Sequence, residues 1–213
     1  MSPAILSICT AVLPTGNHNI TIIYITSTMN FHEYSHIYVI GAPGAGKGSL
    51  CKKLAEEYGY HHLSVGELLR DLSLSKSLKP DATKAIESNV LVGIEDLIPT
   101  LRDAVEKLKL EGKNNVVIDG VPRVLEQARP VEKAIGLPDL VLFFNCPEEI
   151  AKQRFLTRKI PGRVDDGETF DQRYRHYVAE NVKVVEHYRR RGVLIEVDTS
   201  GDVEASYVSV LHA

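Results

Sequence analysis

The sequence predicts an α/β fold, a parallel sheet covered by helices on both faces. Two observations carry this. First, the apolar run His36–Ile40 reads as a buried strand and is followed at once by the glycine-rich run Gly41-Ala42-Pro43-Gly44-Ala45-Gly46-Lys47-Gly48-Ser49 and then by a helical stretch, Ser49–Tyr58. Second, short apolar runs recur along the chain with helical patterns between them, the alternation that parallel strands with crossover helices require.

Taken in order, the elements have separate local causes. The strand Asn115–Asp119 is a β-branched run ending in an acid; Leu140–Asn145 is a continuous apolar run, and Val193–Val197 is the last strand. Between them, Ile94, Leu97, Ile98, Leu101, Val105 and Leu108 recur at helical spacing, as do Phe170, Tyr174, Tyr177, Val178, Val185 and Tyr188. Two segments leave the alternation. Leu63–Leu91 is helical without strong strand signals, and Thr157–Thr169 is polar and holds Pro161 and Gly162. In open α/β sheets, ligands sit beyond the carboxyl ends of the strands, beside such excursions.

A chain of 213 residues, 44% apolar and 25% charged, suits one main domain with small inserted lids. The formal net charge of −3 argues against a nucleic-acid partner, which calls for a basic surface. No apolar run approaches the length of a membrane span. The three cysteines, Cys9, Cys51 and Cys146, have no Cys-x-x-Cys spacing, so neither a disulfide framework nor a zinc site is expected, and a reducing, cytoplasmic location fits. The first 34 residues contain no Lys or Arg and a single acid, Glu33. They lack the basic start of a secretory signal and the arginines of a mitochondrial one. They are expected to form a poorly ordered extension, with translation from Met29 as the alternative, and the domain proper is expected over 35–213.

The chemistry concentrates around the glycine-rich loop. Its glycines let backbone N–H groups turn inward into an anion-binding concavity, the helix N-terminus adds partial positive charge, and Lys47 supplies a mobile cation for β- and γ-phosphates. Asp119, at the end of a strand, takes the usual place of the carboxylate that holds Mg²⁺, directly or through water. Gly120-Val121-Pro122-Arg123 brings an arginine to the same edge, with Gln127 on the first turn of the next helix. Upstream, Arg70 follows Leu63-Ser64-Val65-Gly66-Glu67. Downstream, Arg154, Arg158, Arg163 and Arg173 bracket the polar excursion beside Asp165 and Asp166. Like charges in such number call for a polyphosphate between them, and the i,i+4 pair Arg154 and Arg158 shares a helix face.

The loop ending Gly-Lys-Gly-Ser, then His-Leu-Ser-Val-Gly-Glu-Leu-Leu-Arg, then Val-Ile-Asp-Gly-Val-Pro-Arg, then Gly-Arg-Val-Asp-Asp, together resemble the adenylate kinase family in its short-lid branch. The resemblance runs from about His36 onward. It implies a P-loop NTPase-type parallel five-stranded sheet flanked by helices. A helical lid over the nucleoside monophosphate (63–92) and a short lid over ATP (158–169) complete the domain. It implies a Mg²⁺-dependent, monomeric enzyme that moves the ATP γ-phosphate reversibly to a nucleoside monophosphate, most simply AMP. A UMP/CMP kinase and a non-catalytic nucleotide-binding paralogue are the rivals. By the same resemblance, Gly44, Ala45, Gly46, Lys47, Gly48 and Ser49 hold the ATP phosphates and Arg154 stacks on the ATP adenine. Val65, Arg70, Val92, Gly120, Arg123 and Gln127 receive the monophosphate nucleotide. Arg158, Arg163 and Arg173 stabilise the transferring phosphoryl, and Asp165 and Asp166 orient those arginines. Because Thr157–Thr169 holds no Cys or His, no zinc is expected in the lid.

The chain departs from the family pattern mostly in the monophosphate half. Val65 stands where Thr is usual, Val121 where Phe or Tyr is usual, Gly93 for Pro and Asp96 for an apolar residue. In the loop, Ser49 replaces Thr and keeps the hydroxyl.

Overall fold

The computed structural model describes residues 5–15, 18–158, 160 and 164–213, with side chains from residue 28 onward. Five strands form one wholly parallel sheet: β3 (His36–Gly41), β4 (His61–Ser64), β5 (Val116–Asp119), β6 (Leu140–Asn145) and β7 (Leu194–Asp198). Their spatial order is β4-β5-β3-β6-β7. The helices that cover it are α1 (Lys47–Tyr58), α2 (Val65–Leu74), α3 (Pro80–Glu87), α4 (Ile94–Leu110), α5 (Leu125–Ile135), α6 (Glu148–Thr157), α7 (Gly167–Arg190) and α8 (Val203–Leu211).

The pleat divides the core in two. Alternate residues of β3 point to opposite faces. Tyr38 and Ile40 join Ile118, Val141 and Phe143 in a core that includes Leu97, Leu101 and Val105 of α4, Val131 of α5 and Val184 of α7. Ile37 and Val39 join Val117, Leu142 and Phe144 in the opposite core, against Leu50 and Leu54 of α1, Phe155 of α6 and Val210 of α8. Burial on both faces explains why β3, β5 and β6 read as continuous apolar runs.

Four details differ from the sequence reading. Leu63 and Ser64, which open the segment expected to be helical, belong to the edge strand β4, paired in parallel with β5 from His61↔Val116 to Ser64↔Asp119. A four-residue polar edge strand carries too little hydrophobic pattern to stand out. The helix after the glycine-rich loop begins at Lys47, two residues before Ser49. Val178, counted among the inward positions of α7, is 55% exposed. The N-terminal residues, expected to be loose, contain two strands, β1 (Ile5–Thr15) and β2 (His18–Thr28), paired antiparallel from Ile5↔Thr28 to Thr15↔His18. The β-branched stretch Ile20–Thr26 favours this conformation.

The packed body also starts before residue 35. The Met29 N–H donates to the Leu211 carbonyl at 2.8 Å, and Phe31 is fully buried. The Tyr60 hydroxyl donates to the carbonyls of Phe31 and Tyr34. Among the described residues, no helix is long and apolar enough to cross a membrane.

Candidate active site

Beyond the carboxyl ends of the strands lies a cavity of about 710 Å³. The glycine-rich loop forms its floor. Gly44 and Gly46 both have φ of +87°, a left-handed conformation that only glycine adopts without strain. Gly44 also sits so close to α6 that a Cβ there would stand 2.0 Å from the Ala151 carbonyl oxygen. Lys47 opens α1 and turns its ammonium back on the loop, donating to the Gly41 and Ala42 carbonyls at 2.8 Å each. Burial pulls the Lys47 ammonium down to about 8; Arg123 and Arg173 push the same way and Asp119 opposes them.

The predicted cations converge on this cavity from distant parts of the chain. Lys47, Arg70, Arg123, Arg154, Arg158 and Arg173 all line it, together with Asp119, Gly120 and the loop residues Gly44, Ala45, Gly46, Gly48 and Ser49. Arg163 lies outside the described residues. Arg70 on α2 and Arg123 after β5 approach each other above Gly66. A Cβ at Gly66 would lie 3.2 Å from Arg70 Nη1 and 3.7 Å from Arg123 Nη2, so glycine leaves the room that both guanidinium groups use. The Arg123 Nε–H donates to the Gly120 carbonyl at 3.0 Å, and its backbone N–H donates to Gln127 Oε1 at 2.9 Å.

On the opposite side, Arg158 donates from Nε and Nη2 to the two Asp165 oxygens, each at 2.7 Å, and its guanidinium lies over the Phe155 ring, 3.9 Å from the centroid. Arg173 approaches the same ring at 5.6 Å. Arg154 is anchored where the 199–201 segment meets the cavity. It donates to the carbonyls of Thr199 (2.7 Å), Ser200 (3.1 Å) and Gly201, beside Cys146 Sγ at 3.6 Å.

Several predicted residues stand behind the cavity wall. Val65 and Val92 are 1% and 7% exposed and belong, with Val121, to the apolar core beneath the cavity. Gln127 is buried and occupied with Arg123. Asp165 accepts from Arg158. Asp166, expected to orient an arginine, caps α7 by accepting the Thr169 N–H at 2.8 Å. Asp96 is not a bare carboxylate: Lys79, the N-cap residue of α3, pairs with it at 2.6 Å.

The sequence reading missed His62. Its Nε2 lies 2.5 Å from Asp119 Oδ2, and both side chains are about nine-tenths buried. It also missed the cavity-lining His176 and Asn181 of α7. His176 follows Arg173 at i+3, a spacing from which a shared face could have been read.

Comparison with known proteins agrees with this geometry. Residues 39–193 match the family model for adenylate kinase. The chain belongs to the adenylate kinase family. It is 37% identical over 177 residues to adenylate kinase isoenzyme 1 of Rattus norvegicus, covering 82% of this chain and 91% of the relative. The isoenzyme 1 of Homo sapiens is 36% identical over the same shares, and adenylate kinase 1 of Schistosoma mansoni is 38% identical over 83% of this chain and 90% of that one. As an adenylate kinase family member, the chain is a nucleoside monophosphate kinase that uses ATP.

Proposed function

We propose that the chain catalyses the reversible reaction ATP + AMP = 2 ADP with Mg²⁺. The convergence of five cations on the phosphate cavity in two groups, Arg70 with Arg123 and Arg158 with Arg173 across from Lys47, carries the reading. AMP as the acceptor is supported by the relatives' names.

In this reading the loop N–H groups and Lys47 hold the ATP β- and γ-phosphates, and the guanidinium face of Arg154 frames the adenine beside Gly201 and Val203. Arg70 and Arg123 grip the monophosphate, whose oxygen attacks the γ-phosphorus as the bond to the β-phosphate oxygen breaks. The charge spreading over the transferring phosphoryl falls between Arg158 and Arg173, joined by Arg163 through the family resemblance. No protein nucleophile is needed; positioning and fixed positive charge do the work. The guanidinium fork suits this because it stays charged and binds phosphate at two points.

The donor set fits Mg²⁺. Asp119 presents a hard carboxylate at the cavity edge, and Ser49 an exposed hydroxyl on the first turn of α1. Bound there with ATP, the ion would neutralise charge on the transferring group. A cytoplasmic monomer completes the reading, in keeping with two buried free thiols, Cys51 and Cys146.

A coupled assay of ATP against AMP, dAMP, UMP and CMP, with and without a magnesium chelator, tests this. Turnover that prefers AMP and stops on chelation is expected. Preference for UMP or CMP would replace the acceptor, and turnover unaffected by chelation would remove the metal.

A further inference from the structure

We propose that Cys51, His62 and Asp119 form a binding site for a borderline-soft divalent cation of the zinc class, and that filling it switches the kinase off. The three come from separate elements: the second turn of α1, the edge strand β4 and the end of β5. Their candidate ligand atoms, a thiol sulfur, an imidazole nitrogen and a carboxylate oxygen, all lie within 4.8 Å of one another. No spacing motif could announce such a set. Phosphoryl transfer uses neither Cys51 nor His62, yet both face the carboxylate that it does use.

The donors choose the metal. Thiolate and imidazole are poor ligands for Mg²⁺ and good ones for Zn²⁺, Co²⁺ or Cd²⁺. Tetrahedral zinc places its ligand atoms roughly 3.3–3.7 Å apart, given metal–ligand lengths of about 2.0–2.3 Å. The present separations, from 2.5 Å for His62–Asp119 up to the 4.8 Å limit, bracket that range, so side-chain rotation of about an ångström suffices. Charge also balances. Cys51 gives up its proton to solvent as the ion binds, against burial and the Asp119 charge that hold it on the free thiol; the thiolate and the carboxylate together then neutralise a divalent ion, so the nearby Lys47, whose ammonium is turned to the loop carbonyls, faces no net repulsion. Asp119 lines the cavity, which gives the ion a path in.

The consequence follows from the shared ligand. Asp119 given to zinc is withdrawn from Mg-ATP, so the two states exclude each other. This consequence rests on the proposed role of Asp119; the binding site does not.

Cobalt binding to the full, nucleotide-free chain tests the site. One Co²⁺ per chain is expected, with the near-ultraviolet charge-transfer absorption of a thiolate ligand and the intense visible bands of four-coordination. Both should persist in Cys9→Ser/Cys146→Ser and vanish in Cys51→Ser. Cys51→Ala serves if the serine variant does not show a cooperative thermal transition. Zn²⁺ should displace the cobalt and inhibit turnover reversibly, with the inhibitory concentration raised at least tenfold in the Cys51 variant. No thiolate band, or a band that survives loss of Cys51, overturns the site. Zinc bound through Cys51 with turnover unchanged overturns the switch. Failure of phosphotransfer with every nucleotide would instead strike the function proposed above, because the spectroscopic arm contains no nucleotide.

Discussion

The Arg158 guanidinium and the Asp165 carboxylate meet through two parallel N–H···O bonds of 2.7 Å, with Asp165 only 6% exposed. The pair fixes the plane of a cation that would otherwise rotate about four side-chain bonds. Replacing Asp165 with Asn removes the charge and one acceptor while keeping the size. The kcat should fall about 10- to 100-fold, or about 1.4–2.7 kcal/mol, with a small change in KM for ATP, because the lost order matters most in the transition state. Steady-state kinetics checks the split. An equal rise in both KM values at constant kcat would show that the pair serves binding instead.

Arg123→Ala should lower kcat/KM for the monophosphate about 30- to 1000-fold, the worth of a bidentate charge-assisted contact of about 2–4 kcal/mol. The side chain is exposed to the cavity and bonds within the protein chiefly to the Gly120 carbonyl, so the melting temperature should hardly move. Normal turnover in this variant would remove Arg123 from the clamp.

Gly66→Ala tests the clamp from below. The added methyl would press on Arg70 Nη1 at 3.2 Å and reach Arg123 Nη2 at 3.7 Å. KM for the monophosphate should rise about tenfold, a cost of about 1.4 kcal/mol, while the ATP dissociation constant stays as it was. Weakening of both nucleotides alike would point to a general disturbance of α2.

Lys47 links nucleotide binding to protons. Its ammonium loses its charge near pH 8 in the free protein, against about 10.5 for an ordinary lysine. A polyphosphate favours the charged form and raises that value. ATP binding between about pH 8 and 10 should therefore take up a proton, and affinity should fall as pH rises through 8. Near pH 6.5, Lys47 is already protonated and contributes no uptake. Calorimetry in two buffers of different ionisation enthalpy measures the uptake; none at pH 8.5 would contradict the low value.

Gly93→Pro should stabilise the chain by about 0.4–1 kcal/mol, because residue 93 already has φ of −58° at the N-cap of α4. The three atoms nearest an added Cβ all belong to the Glu95 carboxylate, at the end of a flexible side chain. Denaturant unfolding reads the difference, and a loss of stability would mean that Glu95 cannot move aside.

The strands β3, β5 and β6 were legible because burial on both faces leaves an unbroken apolar run, and the phosphate loop because its glycines answer a backbone demand. The edge strand β4 was not, since half of it faces little that is apolar. The anchoring of Arg154 could not be read either: its partners are main-chain carbonyls of 199–201, which any residue type supplies. Asp166 looked like a partner for arginine because charge is visible in a sequence, whereas its use as a helix cap depends on where α7 starts. His62 and Asp119 are brought together by strand order alone.

Gly44 rests on the backbone of Ala151, and six residues further along the same chain α6 ends at Thr157, with Arg158 in extended conformation. The glycine-rich loop and the root of the arginine-bearing segment are thus one bedded unit, which ends at Arg158. Length beyond that point is therefore modular. A longer segment could be grafted between Arg158 and Asp165 without disturbing the glycine-rich floor of the cavity, so the size of this cover can change through insertion while the floor keeps its shape.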